Sequence, residues 1–542
     1  MSHKKPTLGN QFSGLFDQIK VRFDDKPTSE EKPEHGQKRK DKTREKNPRG
    51  KVKARSSVKR KPSKPKKRNY VEVKAPDTSC YDVPRRPSGS STSKNLSPVD
   101  LPPLHEISAD VENLDIHLPN SNAIASPSIN PNDGMTARDG EPAIIGLDFG
   151  TAFTKAIIHW RNRHYIVDWK DIIDAKDPHL LPSSFSEHTS GSTLLGDVDE
   201  AGWTSKKGLK ISIIENTADN KASDIDATIF IALVTRYIRG WAEKKFKDMG
   251  AEKLRWRLHV GLPASPFQSE KKQDRLMRIA SHGWSIGLNQ GIITRESVTD
   301  ATAGPSPDSH IPIKVVPEFL AQLYPYLKSS KSQEGLHGLI DIGAGTVDFV
   351  IFNIVRIDNS DKIPIFGDNV SPLGSHYLIG ALAGRRGQTI PWHDSDASKS
   401  FAFFSERTGE PREEISLRTR IFDQHVKKAL GHALKSARSL FTNSPVWRRQ
   451  NEFPFFLCGG GSHITFYKHS IKNRKSLSIA YRNIPLPKNI VGDINPKSFH
   501  RYSVAYGLSI LPRNLAAITP KRDIDPVLPP DPIETEDRDA SR

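Results

Sequence analysis

The sequence predicts an α/β body with mixed sheets covered by helices, spanning roughly residues 143–515, behind a long polar arm. Three observations carry this expectation. Apolar runs alternate with amphipathic helical patterns across the body, which is the pattern of sheets packed under helices. Three Gly-rich turns sit at the ends of apolar runs. Residues 24–140 hold almost no apolar periodicity and are rich in Pro, Ser, Lys, Asn and Asp, so they cannot bury enough surface to offset the entropy of ordering.

The elements follow in chain order. Strands are expected near 143–147, 258–262, 336–340, 347–354 and 453–457, where short apolar runs are bounded by turn residues. Helices are expected near 227–247, 269–286, 317–328, 418–440 and 503–511. No internal repeat of 20–50 residues is visible. Upstream of the arm, Phe12, Leu15, Phe16, Ile19 and Phe23 recur at helical spacing within residues 1–23. A short amphipathic helix there suits docking into a partner's groove, or packing on this protein's own body. The residues from 516 to 542 are Pro-rich and acidic and are expected to be a loose tail.

Charge divides the chain sharply. The 542 residues carry a net +18, but residues 1–70 alone hold 23 Lys and Arg against 8 Asp and Glu. The remainder, with 58 basic and 55 acidic residues, is close to neutral. Within 38–68 there are 17 positive and two negative charges, a segment that suits nucleic acid or another polyanion, or serves as a solvated tether. Two cysteines, Cys80 and Cys458, exclude a disulfide framework or a Cys-rich zinc site. No apolar run reaches the ~20 residues of a membrane span, and MSHKKPTLGN lacks the apolar stretch of a secretory signal. A cytoplasmic protein is the expectation.

The chemistry concentrates in the three turns. In IIGLDFGTAFTKAII (144–158), an apolar strand ends at Asp148, Gly150, Thr151 and Ala152 make a turn, and a second strand carries Lys155. Glycine lets backbone N–H groups approach phosphate oxygens, and an aspartate beside phosphates has a sensible role in holding Mg²⁺. Lys155 is placed to return to the phosphates as a point charge. GLIDIGAGTVDFVIF (338–352) repeats the pattern with Asp341, then Gly343, Ala344, Gly345 and Thr346, and Asp348 on the returning strand. Two such hairpins, 193 residues apart, suggest two similar halves clamping one nucleotide. FPFFLCGGGSHITF adds Gly459, Gly460 and Gly461, then Ser462 and His463, where bare backbone offers a surface for a flat nucleoside. No Walker A sequence accompanies these turns, nor a GxGxxG opening a helix.

These motifs, in this order, resemble the actin/sugar-kinase/heat-shock ATPase superfamily, and most closely the nucleotide-binding domain of the DnaK-type 70-kDa heat-shock chaperones. DFGTAFTK resembles the first phosphate motif, DIGAGTVDF the second, and LCGGGSH the adenosine motif. KVVPEFLAQLYPYL (314–327) and SVAYGLSI (503–510) resemble the two connecting helices, and 181–210 a small inserted subdomain. The resemblance implies a two-lobed actin-like fold, built of duplicated ribonuclease-H-like domains with ATP or ADP in the cleft. It places lobe I at 141–330 and lobe II at 331–515. It implies that Asp148 and Asp341 place Mg²⁺, and that Gly150, Thr151, Gly343, Gly345 and Thr346 bind phosphate. Glu318 matches the residue that orients the attacking water, assisted by Asp348. Lys210 falls near the catalytic lysine of the heat-shock members and Lys155 on the phosphate lysine of the actin-like members. His463 stands where the chaperones keep an adenine-stacking Arg.

Other readings of single residues stay open: Glu318 as a favourable charge at a helix start, Lys210 as a solvated surface lysine, Asp348 as a strand-end acceptor. The departures are equally legible. Only about 30 residues follow the second connecting segment, too few for the chaperones' peptide-binding domain, and LGSHYLIGAL (373–382) lacks the acidic residues of the family's corresponding stretch. The expected function is a slow Mg²⁺-dependent ATPase switch acting on a protein partner. The rivals are an actin-like filament protein, a small-molecule kinase, and a nucleotide-sensing scaffold without turnover.

Overall fold

The computed structural model describes residues 140–524, apart from 174–176, 216–219, 252, 290, 308–310, 358–359, 389, 391–393 and 473–476. The amphipathic stretch 1–23, the polar arm 24–139, its basic segment and Cys80 lie outside the described residues, as do 525–542.

Strands β1 (Glu141–Phe149), β2 (Phe153–Trp160) and β3 (Arg163–Ile166) form an antiparallel meander, followed by β4 (Leu254–Leu262) and β5 (Ile313–Pro317). β4 lies parallel to β1 and β5 parallel to β4, so the sheet order is β3-β2-β1-β4-β5. The apolar runs of β1 and β4 are buried on both faces, as expected of strands with a parallel neighbour and helical cover. Between β3 and β4 the chain makes a small antiparallel sheet of Thr193–Leu195, Phe185–His188 and Trp203–Lys206. It then forms α1 (Leu209–Glu215) and α2 (Lys221–Lys247). α3 (Glu270–Leu288) packs along α2 and beside β5, and α4 (Glu318–Leu327) leaves β5 directly.

The second sheet repeats the first. β6 (Gly335–Ile342), β7 (Val347–Ile357) and β8 (Ser360–Ser371) form an antiparallel meander, and β9 (Glu452–Cys458) and β10 (Ser478–Arg482) add in parallel, giving β8-β7-β6-β9-β10. Order and strand sense are the same in both sheets. α5 (Ser375–Ala383) packs on α6 (Arg412–Leu440), which covers the second sheet. α6 passes so close to β8 that a Cβ on Gly367 would strike the carbonyl of Ala433.

The C-terminal part returns to the first sheet. Ile490–Val491 pairs in parallel with β3, and α7 (Ser503–Leu508) lies over β1 and against α4. Pro325 gives α4 no N–H to meet the carbonyl of Ala321, and at that carbonyl a Cβ on Gly507 would collide; one on Gly146 would strike Ala505. Two glycines therefore set how closely α7 can lie between α4 and β1. Two buried imidazoles hold the turn after α7: His164 Nδ1 meets Ser509 Oγ at 2.7 Å and His259 Nδ1 meets the Leu508 carbonyl at 2.7 Å.

The expected strands and helices all occur, the strands longer and the helix ends moved by a few residues in either direction. One expectation is corrected. Residues from 516 on do not begin a loose tail: Ala517–Thr519 adds a parallel strand beside Lys362, Ile363 and Pro364 of β8, and Ile518 and Leu515 pack against the core. No helix among the described residues is long and apolar enough to cross a membrane.

Gly507→Ala should destabilise the fold by about 1–3 kcal/mol through forced displacement of packed backbone. Gly304→Ala, where a Cβ meets nothing within 4 Å, should stay within about 0.5 kcal/mol. Urea denaturation of the two variants checks the contrast, and equal midpoints would remove the argument.

Burial, with a smaller push from His159, lowers His164 to a pKa of about 3. Its neutral form is favoured in the fold, so its contribution is full above the unfolded value near 6.5 and is lost as pH falls towards 3. At pH 5 that loss is about 2 kcal/mol. The drop in stability between pH 7.5 and 5 should therefore be smaller by about that amount in His164→Asn than in the natural chain, read by denaturant titration at both pH values.

Candidate functional site

The two antiparallel hairpins set the site's geometry by register. In the first, Asp148 pairs directly with Lys155, and in the second Asp341 pairs directly with Asp348. Residues directly opposite across an antiparallel pair project to the same face. One hairpin thus presents an acid beside a base, and the other two acids. Lys155 Nζ donates to Asp148 Oδ2 at 3.0 Å. The turns are closed by Gly150 N–H to the Asp148 carbonyl (3.1 Å) and Gly343 N–H to the Thr346 carbonyl (2.9 Å). Among the described residues, no backbone acceptor takes the N–H of Thr151, Ala152, Ala344 or Gly345.

The turns face each other. A Cβ on Gly345 would stand 3.1 Å from Thr151 Cγ2 and 2.9 Å from Ile211 Cδ1, so only glycine lets the second turn approach the first and α1. α1 carries Lys210 into the same space, where its Nζ donates to Glu318 Oε1 at the start of α4; both side chains are buried. One helical turn on, Gln322 Nε2 donates to Asp341 Oδ2 at 3.2 Å. A Cβ at Gly261 would lie 2.6 Å from Glu318 Cγ, so the glycine in β4 makes room for that carboxylate.

Together these residues line a cleft of about 800 Å³, counted out to open solvent. Asp148, Gly150, Thr151, Ala152, Lys155, Lys210, Glu318, Asp341, Gly343, Ala344, Thr346, Asp348, Gly459, Gly460 and Gly461 all line it. Gly345 does not, being wedged between Thr151 and Ile211, and Ser462 is buried away from it. His463 is exposed, with its Nδ1 against the Gly460 carbonyl at 2.7 Å, and also lies outside the lining. The glycine triplet has a different cause from the bare platform expected. Gly459 is at φ +81° and a Cβ there would strike Asp341 and Ile342, and one on Gly461 would strike Ile342, whereas Gly460 alone faces open space. Lys210 is not a solvated surface lysine. The sequence reading missed Phe153, Pro263, Gln322, Ser375, His500, Arg501 and Val504, which also line the cleft. None belongs to a glycine turn, and none is a residue to which the resemblance gives a role.

Electrostatics distinguish the four carboxylates. Burial, reinforced by Asp148, pushes Asp341 up to about 6, against Lys155, the Gln322 hydrogen bond and Lys210. Burial raises Glu318 to about 7; Lys210 opposes this, while Asp148 and Asp341 add to it. Asp348 is driven well above its ordinary value by burial, then by Glu318 and Asp341, and its Oδ1 has no hydrogen-bond partner. Burial works against the charge of Lys210, but Glu318, Asp148 and Asp348 outweigh it and raise its pKa. Buried acids that resist ionisation are acids short of a cation. Among the described residues no three His, Cys, Asp or Glu side chains form a chelating group. A divalent cation here would therefore rest on one or two carboxylates and on oxygens of a bound ligand, the usual arrangement for Mg²⁺.

No family model matches the chain, and no curated protein is significantly similar to it.

Removing the lysine from the buried pair isolates Glu318. Its folded pKa then rises further above the unfolded value near 4.5, so stability is retained below that value and lost as pH rises. The thermal midpoint of Lys210→Met should fall below that of the natural chain by more at pH 8 than at pH 5.5. Adding Glu318→Gln should shrink the difference; a pH-independent deficit would contradict the pairing.

Proposed function

We propose that the chain is a Mg²⁺-dependent ATP-binding protein that hydrolyses ATP slowly and works as a nucleotide-driven switch on a protein partner, with a two-lobed fold of the actin and heat-shock ATPase kind. One observation supports this above the rest. Two hairpins of identical register, from two sheets of identical order, present glycine turns to each other across one cleft lined by four carboxylates and two lysines paired with them.

The free N–H groups of Thr151, Ala152, Ala344 and Gly345 suit phosphate oxygens, as backbone nests do. Lys155 adds a point charge beside the first turn. Asp148 and Asp341 are the residues that would hold Mg²⁺, and the shortage of positive charge around the raised Asp341 fits that role. When bound, Mg²⁺ neutralises phosphate charge and fixes the orientation of the terminal phosphoryl group. Glu318 accepts a proton from the attacking water at Oε2, because Lys210 occupies Oε1. That hydrogen bond holds the carboxylate's orientation but also competes for its electron density, which fits a slow reaction. Lys155 beside Asp148 equally suits an actin-like filament protein, and sedimentation with and without ATP separates the two readings.

Release of labelled phosphate from ATP by the pure full-length chain is the primary test, with turnover required to depend on Mg²⁺. Asp341→Ala should lower that turnover about a hundredfold or more while nucleotide binding stays measurable. Glu318→Gln should lower it by about a hundredfold with little change in affinity. Unchanged turnover in both variants would displace the site assignment, and absence of any ATP binding would displace the function.

A further inference from the structure

Three cations line the cleft, and two are already matched: Lys155 to Asp148 and Lys210 to Glu318. The third is Arg501. Among the described residues no carboxylate pairs with it, and its Nε is buried without a hydrogen-bond partner. Its neighbour His500 adds no charge near neutral pH, because burial lowers its pKa to about 4. The Arg501 guanidinium lies 6.0 Å over the ring of Phe153, the residue immediately after the first glycine turn. Arg501 therefore shares the cleft with Thr151 and Ala152, and its contact with the Phe153 ring leaves its charge unneutralised.

A half-buried guanidinium without a carboxylate partner, in the cleft that Thr151 and Ala152 also line, is a site for an anion that accepts several hydrogen bonds. We propose that Arg501 binds the polyphosphate of the nucleotide and sets the preference for nucleoside di- and triphosphates over the uncharged nucleoside. The proposal rests on the nucleotide reading above for its ligand, but the anion site stands on its own geometry. Arginine suits this better than lysine, because its planar fork meets phosphate oxygens in pairs. Phe153 lies against the fork and touches no ligand in this proposal, so it acts as a positioning residue.

The test uses the full chain with Arg501→Gln, Arg501→Lys and Phe153→Leu, and with ATP, ADP, adenosine and inorganic tripolyphosphate as probes in calorimetry and thermal-shift titrations. Arg501→Gln should weaken ATP, ADP and tripolyphosphate roughly 10- to 100-fold and leave adenosine unchanged. Arg501→Lys should recover part of the loss, and Phe153→Leu should show a smaller loss of the same kind. Both unliganded Arg501 variants should melt close to the natural chain, since no carboxylate pair is broken and the lost contact with the Phe153 ring is a weak one. Equal tripolyphosphate affinity in Arg501→Gln and the natural chain overturns the proposal. If the natural chain binds tripolyphosphate through Arg501 but no nucleotide, the nucleotide reading fails and the anion site stands. If it binds neither, both fail.

Discussion

Four carboxylates, Asp148, Glu318, Asp341 and Asp348, meet in one cleft where, among the described residues, two lysines pair with them. Every acid removed from water there needs a cation or a proton. Lys155 and Lys210 satisfy one acid each; Asp341 has only an amide donor, and Asp348 Oδ1 has nothing. The raised pKa values of Asp341 and Asp348 express this imbalance. A core of this kind is costly to keep for stability alone, since an apolar pair of similar volume packs as well or better. It is intelligible as a site that is completed by positive charge from outside the chain.

The imbalance follows from register. Each hairpin places the residue seven positions after its aspartate directly opposite it, and the chain puts Lys155 in one such position and Asp348 in the other. The same backbone geometry thus yields a neutral half and an acidic half. Bringing the halves together demands a missing side chain at Gly345, against Thr151 and Ile211; within each half the acids are accommodated the same way, Gly459 against Asp341 and Gly261 beside Glu318. At each of these positions a methyl group would push apart surfaces that the chemistry needs in contact.

The sequence made the first hairpin, the second hairpin and five of the helices legible because each is a periodic run or a strand ended by Asp and Gly. β8 was hidden, since Asp361, Pro364, Gly367 and Asp368 interrupt its alternation, and its pairing with β7 and with 517–519 decides it instead. The small sheet near 185–206 was hidden because its strands are three or four residues long. Within the site, residues on glycine turns were readable, whereas Gln322 and Arg501 were not. Their place in the cleft depends on where α4 begins and on where the chain re-enters before α7, which are tertiary facts. His463 and Ser462 fell to the opposite error: they follow a glycine motif but point out of the cleft or into the core.

The crossing of α4 and α7 gives the proposed switch a mechanical route. α4 opens with Glu318 and carries Gln322 one turn later, so its first turn belongs to the cleft. α7 begins two residues after Arg501, so its approach belongs to the cleft as well. The two helices meet at Ala321 and Gly507 with no side chain between them, and α7 meets β1 at Gly146 in the same manner. Backbone-to-backbone contacts leave little compressible volume, because packed interiors yield in discrete steps and not by gradual deformation. On the proposed reading, a ligand that engages Arg501 through its phosphates and Glu318 through the attacking water would load both helices at once. The crossing would then pass that load to β1 and the first sheet. A bulkier residue at position 507 would alter the angle at which the helices meet, and with it the coupling between cleft and sheet, while leaving every residue that touches the ligand in place.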